Sequence, residues 1–93
     1  MQLVYLRADW CGVCAEKSPL VERIAASLGL PLEVVDWQSE AGRSRAEELR
    51  MKTVPTLALV DGARVPFRLV GSMITAENVE RLAAPSLQRK EGP

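Results

Sequence analysis

A chain of 93 residues with 47% hydrophobic side chains is long enough for one folded domain around a single core. Its 12 basic and 12 acidic side chains cancel, so no bulk charge attracts nucleic acid or an anionic membrane. The absence of histidine excludes histidine-based triads, histidine general bases and mixed Cys/His zinc sites. Because no apolar run reaches the length of a membrane span and no export signal is visible, we expect a cytoplasmic protein.

The first half of the chain alternates apolar strands with a helix. Gln2 to Arg7 is predicted to be a strand covered on both faces, because its apolar residues run without alternation. From Gly12 the apolar residues recur at helical spacing, and Gly29 is the expected end of that helix. Pro19 lies inside it and predicts a kink. Leu32 to Asp36 is predicted to be a second short strand.

A short polar helix and a hairpin follow. The helix lies between Ser39 and Arg50, and its first residue is ambiguous: Ser44 can form a capping box with Glu47, but a start near Ser39 fits as well. Two further strands are predicted around the turn signal Asp61-Gly62, namely Thr56 to Val60 and Arg64 to Val70. Pro66 lacks a backbone donor, which places the last strand at an edge of the sheet.

The C-terminal part of the chain is predicted to hold one more helix. Thr75 can cap it, and Pro85 is expected to end it after about Ala84. We therefore expect a domain over residues 1–84 and a flexible polar tail over residues 85–93.

The order of these elements predicts the fold class. The order strand, helix, strand, helix, strand, strand, helix requires one right-handed parallel crossover and one antiparallel hairpin. A four-stranded mixed sheet with helices on both faces satisfies both requirements, so we expect an α/β fold.

The two cysteines of the chain, Cys11 and Cys14, lie at the first strand-to-helix junction. Unpaired N–H groups and the positive end of the helix dipole favour a thiolate there, which lowers the pKa of Cys11 below the value of about 8.5 for a free thiol. Helical positions three apart also fall within the Cα separation of about 4.4–6.8 Å that a disulfide needs. We therefore predict that Cys11 attacks a disulfide and that Cys14, which lies deeper, resolves the product.

Other uses of two thiols remain open at this stage. The pair can form a structural disulfide, although close pairs in a reducing compartment more often serve redox or metal chemistry. Zinc needs four ligands, so a metal or an iron–sulfur cluster would have to be shared between subunits. The alternative to an enzyme is thus a binding module that holds such a group or docks partners without turnover.

The stretch Trp10-Cys11-Gly12-Val13-Cys14 resembles the thioredoxin active site, whose usual form is Trp-Cys-Gly-Pro-Cys. Three further positions match the family at its spacing: Pro19 the helix-kinking proline, Val54-Pro55-Thr56 the cis-proline segment, and Gly71 a glycine beside the site. The resemblance covers Gln2 to about Ala84.

This resemblance implies a thioredoxin-like three-layer sandwich and a thiol–disulfide oxidoreductase. It implies that the redox-active disulfide Cys11–Cys14 suffices without an organic cofactor or a metal. The substrates would be proteins or small molecules with disulfides, the electron donor a reductase or glutathione, and the protein a monomer. The implied catalytic residues are Cys11 and Cys14, and the implied substrate-binding or supporting residues are Trp10, Gly12, Val13, Val54, Pro55 and Gly71.

The chain also departs from the thioredoxin pattern. Val13 replaces the proline between the cysteines, and Tyr5 stands where thioredoxins place a buried aspartate that accepts the proton of the resolving cysteine. We interpret Tyr5 as a core residue. The sequence starts at the first central strand and contains Thr53-Val54-Pro55, and both features resemble glutaredoxins.

Overall fold

A computed structural model of the protein describes residues 1–91. Its four strands and three α-helices follow the predicted order, and one 3-10 turn that was not predicted precedes the last helix. Their bounds are β1 Gln2–Arg7, α1 Gly12–Leu28, β2 Leu32–Asp36, α2 Glu40–Glu48, β3 Thr56–Asp61, β4 Arg64–Val70, the 3-10 turn Gly71–Met73, and α3 Ala76–Glu91. Within the described residues, no helix is both long enough and apolar enough to cross a membrane.

The strands form one mixed sheet in the order β2-β1-β3-β4. β1 pairs with β2 in parallel and with β3 in antiparallel, and β3 pairs with β4 in antiparallel. β1 is therefore an inner strand with a helix layer on each face, which explains its unbroken apolar run. β4 is an edge strand, so the position inferred from Pro66 is confirmed.

Two apolar cores lie on opposite faces of the sheet. The larger core packs α1 and α3 against one face; its buried residues are Leu3, Tyr5, Val21, Ile24, Ala25, Leu57, Leu59, Phe67, Leu69, Ile74, Val79 and Ala83. The smaller core packs α2 against the other face; its buried residues are Val4, Leu6, Val35, Ala46, Leu49, Met51, Ala58 and Val60. The predicted α/β three-layer sandwich with helices on both faces is thus confirmed.

Helix α2 begins at the earlier of its two possible starts. The hydroxyl of Ser39 accepts a hydrogen bond from the Gly42 N–H at 2.9 Å, which makes Ser39 the N-cap. A side chain at position 42 would collide with the main-chain carbonyl of Asp36. Glycine at this position therefore lets the first turn of α2 lie close against the end of β2.

The expectation that Pro85 ends the last helix was wrong, because α3 continues through Pro85 to Glu91. The proline removes one backbone hydrogen bond, but its side chain is exposed. Beyond it Ser86 is only 6% exposed and Leu87 packs against the larger core, so burial of this face offsets the lost bond. The division into a domain (1–84) and a flexible tail (85–93) remains a prediction, and residues 92–93 lie outside the described part.

Candidate active site

The cysteine pair lies at the carboxyl end of β1, where the chain turns into α1. Cys11 is the N-cap of α1 in an extended conformation, and its Sγ accepts a hydrogen bond from the Cys14 N–H at 3.1 Å. This donor is one of the backbone N–H groups that a helix leaves without an intrahelical partner at its N-terminus. A sulfur in this position is bound by the helix terminus itself, as the sequence predicts.

Cys11 and Cys14 form a disulfide, with their Cα atoms 5.2 Å apart. The two residues differ in exposure: Cys14 is fully buried, whereas Cys11 is half-buried. The prediction that Cys14 is the more covered cysteine is confirmed. A partner that approaches from solvent therefore meets Cys11 first.

Residues next to Cys11 in the sequence expose apolar side chains. Trp10 is 68% exposed and Val13 is 43% exposed, values that are high for large hydrophobic residues. Gly12 is exposed between them. Met73, which sequence reasoning did not single out, is also exposed in the 3-10 turn that follows β4.

The Pro55 loop lies at the same end of the sheet as the cysteines. Thr56 pairs with Leu6 near the end of β1, so the preceding Val54-Pro55 peptide, which is cis, lies beside the strand that leads to Cys11. Pro55 is buried, and its carbonyl accepts a hydrogen bond from the Gly71 N–H at 3.0 Å. Gly71 has a φ of 57°, a conformation that favours glycine. The structure thus brings together two positions that are far apart in sequence.

A lysine ties helix α1 to this neighbouring segment. The Lys17 ammonium donates a hydrogen bond at 3.0 Å to the carbonyl of Ile74, a buried residue directly after the 3-10 turn. The bond joins the helix that carries the cysteines to the segment that begins at Gly71. Sequence reasoning missed Lys17 because nothing local links it to a residue 57 positions away.

Two hydroxyl groups meet beneath Cys14. The Tyr5 hydroxyl donates to the Cys14 carbonyl oxygen at 2.9 Å, and the Ser18 hydroxyl donates to the same oxygen at 2.7 Å. The two hydroxyl oxygens are 3.2 Å apart. Tyr5 is 1% exposed with its ring in the larger core, so its interpretation as a core residue is confirmed. Ser18 was missed, although a serine four positions after a helical residue often bonds back to its carbonyl.

The turn between β1 and Cys11 is held by polar contacts at the surface. Arg7 forms an ion pair with Asp9 at 2.7 Å, and the Asp9 N–H donates to the side-chain oxygen of Gln38. The hydrogen bond from Arg7 lowers the pKa of the Asp9 carboxyl, and the same bond raises the pKa of Arg7. Asp9 is well exposed, so solvent screens this pair and its contribution to stability is small.

Within the described residues, no three histidine, cysteine or carboxylate side chains cluster in a way that could hold a metal ion. The arrangement instead places one accessible and one buried sulfur at a helix N-terminus, in a mixed sheet with a cis-proline loop alongside. Such a fold and site define a thiol–disulfide oxidoreductase of the thioredoxin type.

Comparison with known proteins agrees with this class. The family model described as thioredoxin matches residues 1–84, and the chain belongs to the thioredoxin family. The resemblance inferred from the cysteine motif and its spaced partners is therefore confirmed.

Individual relatives differ in how much of their length they share with this chain. A thioredoxin of Mycolicibacterium smegmatis is 38% identical over 73 residues, and the match covers 75% of this chain and 64% of that protein. A thioredoxin-like protein of Synechocystis is 26% identical over 80 residues, covering 86% of this chain and 76% of that protein. A bifunctional thioredoxin reductase/thioredoxin of Mycobacterium leprae is 31% identical over 70 residues, which is only 15% of its length.

Among solved structures, thioredoxin 1 of Thermosipho africanus superposes with a TM-score of 0.82. The match covers 99% of this chain and 100% of that chain at 23% identity. At this identity the likeness supports the fold alone. Because the two chains cover each other almost completely, it also shows that a thioredoxin fold of about this length occurs in another protein.

Proposed function

We propose that the chain exchanges a dithiol for a disulfide, with Cys11 as the attacking and Cys14 as the resolving cysteine. The observation that carries the proposal is the unequal exposure of the two bonded sulfurs at a helix N-terminus. An attacking sulfur must reach a disulfide in another molecule, whereas a resolving sulfur needs only to reach its neighbour.

The exchange runs in two steps. The Cys11 thiolate attacks one sulfur of the substrate disulfide, which forms a mixed disulfide and releases the other substrate sulfur as a thiolate. Cys14 then attacks the Cys11 sulfur, releases the reduced substrate and closes the Cys11–Cys14 bond. The Cα separation of 5.2 Å lets this bond form within one helical turn.

The surroundings of Cys11 favour its thiolate form. The N–H of Cys14 donates to the Cys11 sulfur, and the positive end of the α1 dipole acts on the same atom. Hydrogen bonds to a charged acceptor are about twice as strong as those to a neutral one, so this contact stabilises the thiolate more than the thiol.

The exposed residues next to Cys11, Trp10, Gly12 and Val13, form what we call the apolar rim, and their exposure supports a role in substrate binding. Trp10, Gly12 and Val13 offer exposed surface beside Cys11, and aromatic surface of this kind is enriched where proteins bind each other. We assign the backbone of Val54, ahead of the buried Pro55, to strand-like pairing with an extended substrate segment. Gly71 supports this loop through its bond to the Pro55 carbonyl.

The electron donor completes the cycle. The Mycobacterium leprae relative carries both reductase and thioredoxin in its name, which supports a thioredoxin reductase as the donor. Glutathione is the alternative donor. We further propose that the chain acts in the cytoplasm as a monomer and needs no organic cofactor, because the exchange uses its own two sulfurs.

Replacing Cys14 with serine tests the assignment of roles. The Cys14→Ser variant should accumulate a mixed disulfide with a protein substrate through Cys11, because nothing remains to resolve it. Non-reducing electrophoresis and mass spectrometry identify the trapped species, and the Cys11→Ser variant is the matched control that should trap nothing. Trapping by Cys11→Ser instead would reverse the roles. Stoichiometric metal bound to both thiols of the freshly purified protein would contradict exchange as the main function.

A further inference from the structure

The proposed exchange needs two parts of the molecule at a fixed distance from each other. The attacking sulfur of Cys11 belongs to the start of helix α1, whereas the backbone of Val54, which we assign to substrate pairing, belongs to the Pro55 loop before β3. A substrate segment has to contact both parts at once. Because a misplacement of about 1 Å between a binding group and a reacting atom can cost about 100-fold in rate, contacts that join α1 to the loop bear directly on substrate binding.

The 3-10 turn Gly71–Met73 begins at the end of the sheet that carries the cysteines. It follows directly after Val70, the last residue of β4. Val70 pairs with Thr56, and Thr56 pairs with Leu6 near the end of β1. Since β1 leads from there into α1, the turn starts on the same side of the sheet as the disulfide.

Two main-chain hydrogen bonds connect this turn to the Pro55 loop. The Gly71 N–H donates to the Pro55 carbonyl at 3.0 Å, and the Ile74 N–H donates to the Gly71 carbonyl at 3.1 Å. Ile74 is 0% exposed, so the end of the turn is buried. The turn is thus held to the loop by backbone groups.

The connection from the turn to α1 is made by a side chain. The Lys17 ammonium donates a hydrogen bond to the Ile74 carbonyl at 3.0 Å. Among the hydrogen bonds of residues 1–91, this is the one that joins α1 to the segment 71–74. Lys17 lies about one helical turn after Cys14, so the bond acts on the part of α1 that carries both cysteines.

The chemistry of this bond makes it a firm anchor. Lys17 is half-buried, and in the part of the chain that the structure describes it forms no ion pair. The Ile74 carbonyl is therefore the protein partner of the ammonium. A hydrogen bond from a charged donor is about twice as strong as one between neutral groups.

We propose that Lys17 is a positioning residue for the binding of protein substrates. By holding Ile74, it fixes the turn and, through Gly71, the Pro55 loop against the helix that carries Cys11. The Val54 backbone then stands at the distance from Cys11 that an extended protein segment needs. A small dithiol has no extended segment to pair with Val54, so Lys17 acts in the reaction with proteins and not in the reaction with small thiols. This inference rests on the proposed function, because it concerns the same exchange.

The first test compares the Lys17→Met variant with the wild-type chain on a protein disulfide. Methionine keeps most of the apolar stem and loses the charge and the donor. Because the turn keeps its bonds to the sheet and the loop, we expect a moderate effect: KM should rise about 5- to 10-fold while kcat stays within about 2-fold. The redox potential and the rate of reduction by dithiothreitol should not change. Lys17→Arg keeps the charge and a donor and should return KM to near the wild-type value.

Amide hydrogen exchange, measured by NMR on the oxidised chain, reports on the turn itself. Lys17→Met should speed exchange at the Gly71 and Ile74 amides by at least about 5-fold, because both amides donate in the segment that Lys17 holds. Arg23→Met is the matched control, since it removes a positive charge from an exposed position further along α1. It should leave KM and both exchange rates at wild-type values. If Lys17→Met does not fold, the shorter and uncharged Lys17→Gln takes its place with the same expected changes.

Three results would overturn the proposal. Unchanged exchange at both amides would mean that Lys17 does not hold the turn, and faster exchange with an unchanged KM would mean that the turn does not govern binding. A change in the redox potential or in the dithiothreitol rate would mean that the charge of Lys17 acts on the cysteines themselves. The proposed function is tested separately with the wild-type chain. Failure to reduce a protein disulfide would contradict that function, whereas the amide exchange result does not depend on any substrate.

Discussion

The two sides of the Cys11–Cys14 disulfide are built from different kinds of residue. On the solvent side, Trp10 and Val13 expose large apolar surfaces next to Cys11. On the inner side, Tyr5 and Ser18 direct hydroxyl groups at the carbonyl of the buried Cys14. The difference shows that the two sulfurs of one bond have different surroundings: the residues next to the accessible Cys11 expose apolar side chains, whereas hydroxyl groups hold the backbone carbonyl of the buried Cys14.

The largest expected effect on stability comes from the inner side. Tyr5→Ala should lower the free energy of unfolding by about 3–5 kcal/mol, the usual cost of removing a buried aromatic ring, because the ring is 1% exposed in the larger core. Tyr5→Phe keeps the ring and should cost only about 1 kcal/mol for the lost hydrogen bond. Urea denaturation of the two variants measures both values. Equal losses would mean that the hydroxyl, rather than the ring, holds this region together.

On the solvent side of the disulfide, a substitution should affect the reaction with a substrate more than the stability of the fold. Trp10→Ala should change the free energy of unfolding by less than about 0.5 kcal/mol, because the side chain is 68% exposed. The kcat/KM of this variant for a protein disulfide should fall by about 10-fold, as expected for the loss of an aromatic contact residue. The rate at which dithiothreitol reduces the Cys11–Cys14 disulfide should stay unchanged. Val34→Ala is the matched control, since Val34 is an exposed apolar residue on β2. An equal loss in that variant would show that exposed apolar surface in general, and not the rim, binds the substrate.

The smallest expected effect on stability concerns the Arg7–Asp9 ion pair in the turn between β1 and Cys11. The hydrogen bond from Arg7 lowers the pKa of the Asp9 carboxyl below its usual value, so the stabilisation is present above the pKa of the unfolded chain and is lost as the pH falls through the folded-state pKa. Asp9→Asn should therefore be slightly less stable than wild type at neutral pH and equally stable in strong acid. Urea midpoints measured against pH check this. The double-mutant cycle with Arg7→Gln isolates the pair, and a difference that persists in strong acid would assign the effect to another contact of Asp9.

Much of the fold followed from local signals in the sequence. β1, β2 and β4 have the predicted bounds, since unbroken apolar runs and the Asp61-Gly62 turn specify strands through side-chain chemistry alone. Gly29 adopts the left-handed conformation that ends α1. The end of α3 was missed because the penalty for Pro85 is local, whereas the burial of Ser86 and Leu87 that outweighs it depends on the other helices and the sheet.

The sequence by itself determined that two thiols stand three residues apart at a strand-to-helix junction, which was enough to predict the disulfide, its helix-terminal position and the more covered cysteine. Only the tertiary structure decided what surrounds that bond. Tyr5 and Ser18 meet at the Cys14 carbonyl because α1 packs against β1. Lys17 hydrogen-bonds to Ile74 because α1 also lies beside the segment that follows the 3-10 turn. The periodicity of helices and strands depends on neighbouring residues and is visible in the sequence. The hydrogen-bond partner of a buried polar group depends on how whole helices and strands pack, so only the tertiary structure shows it.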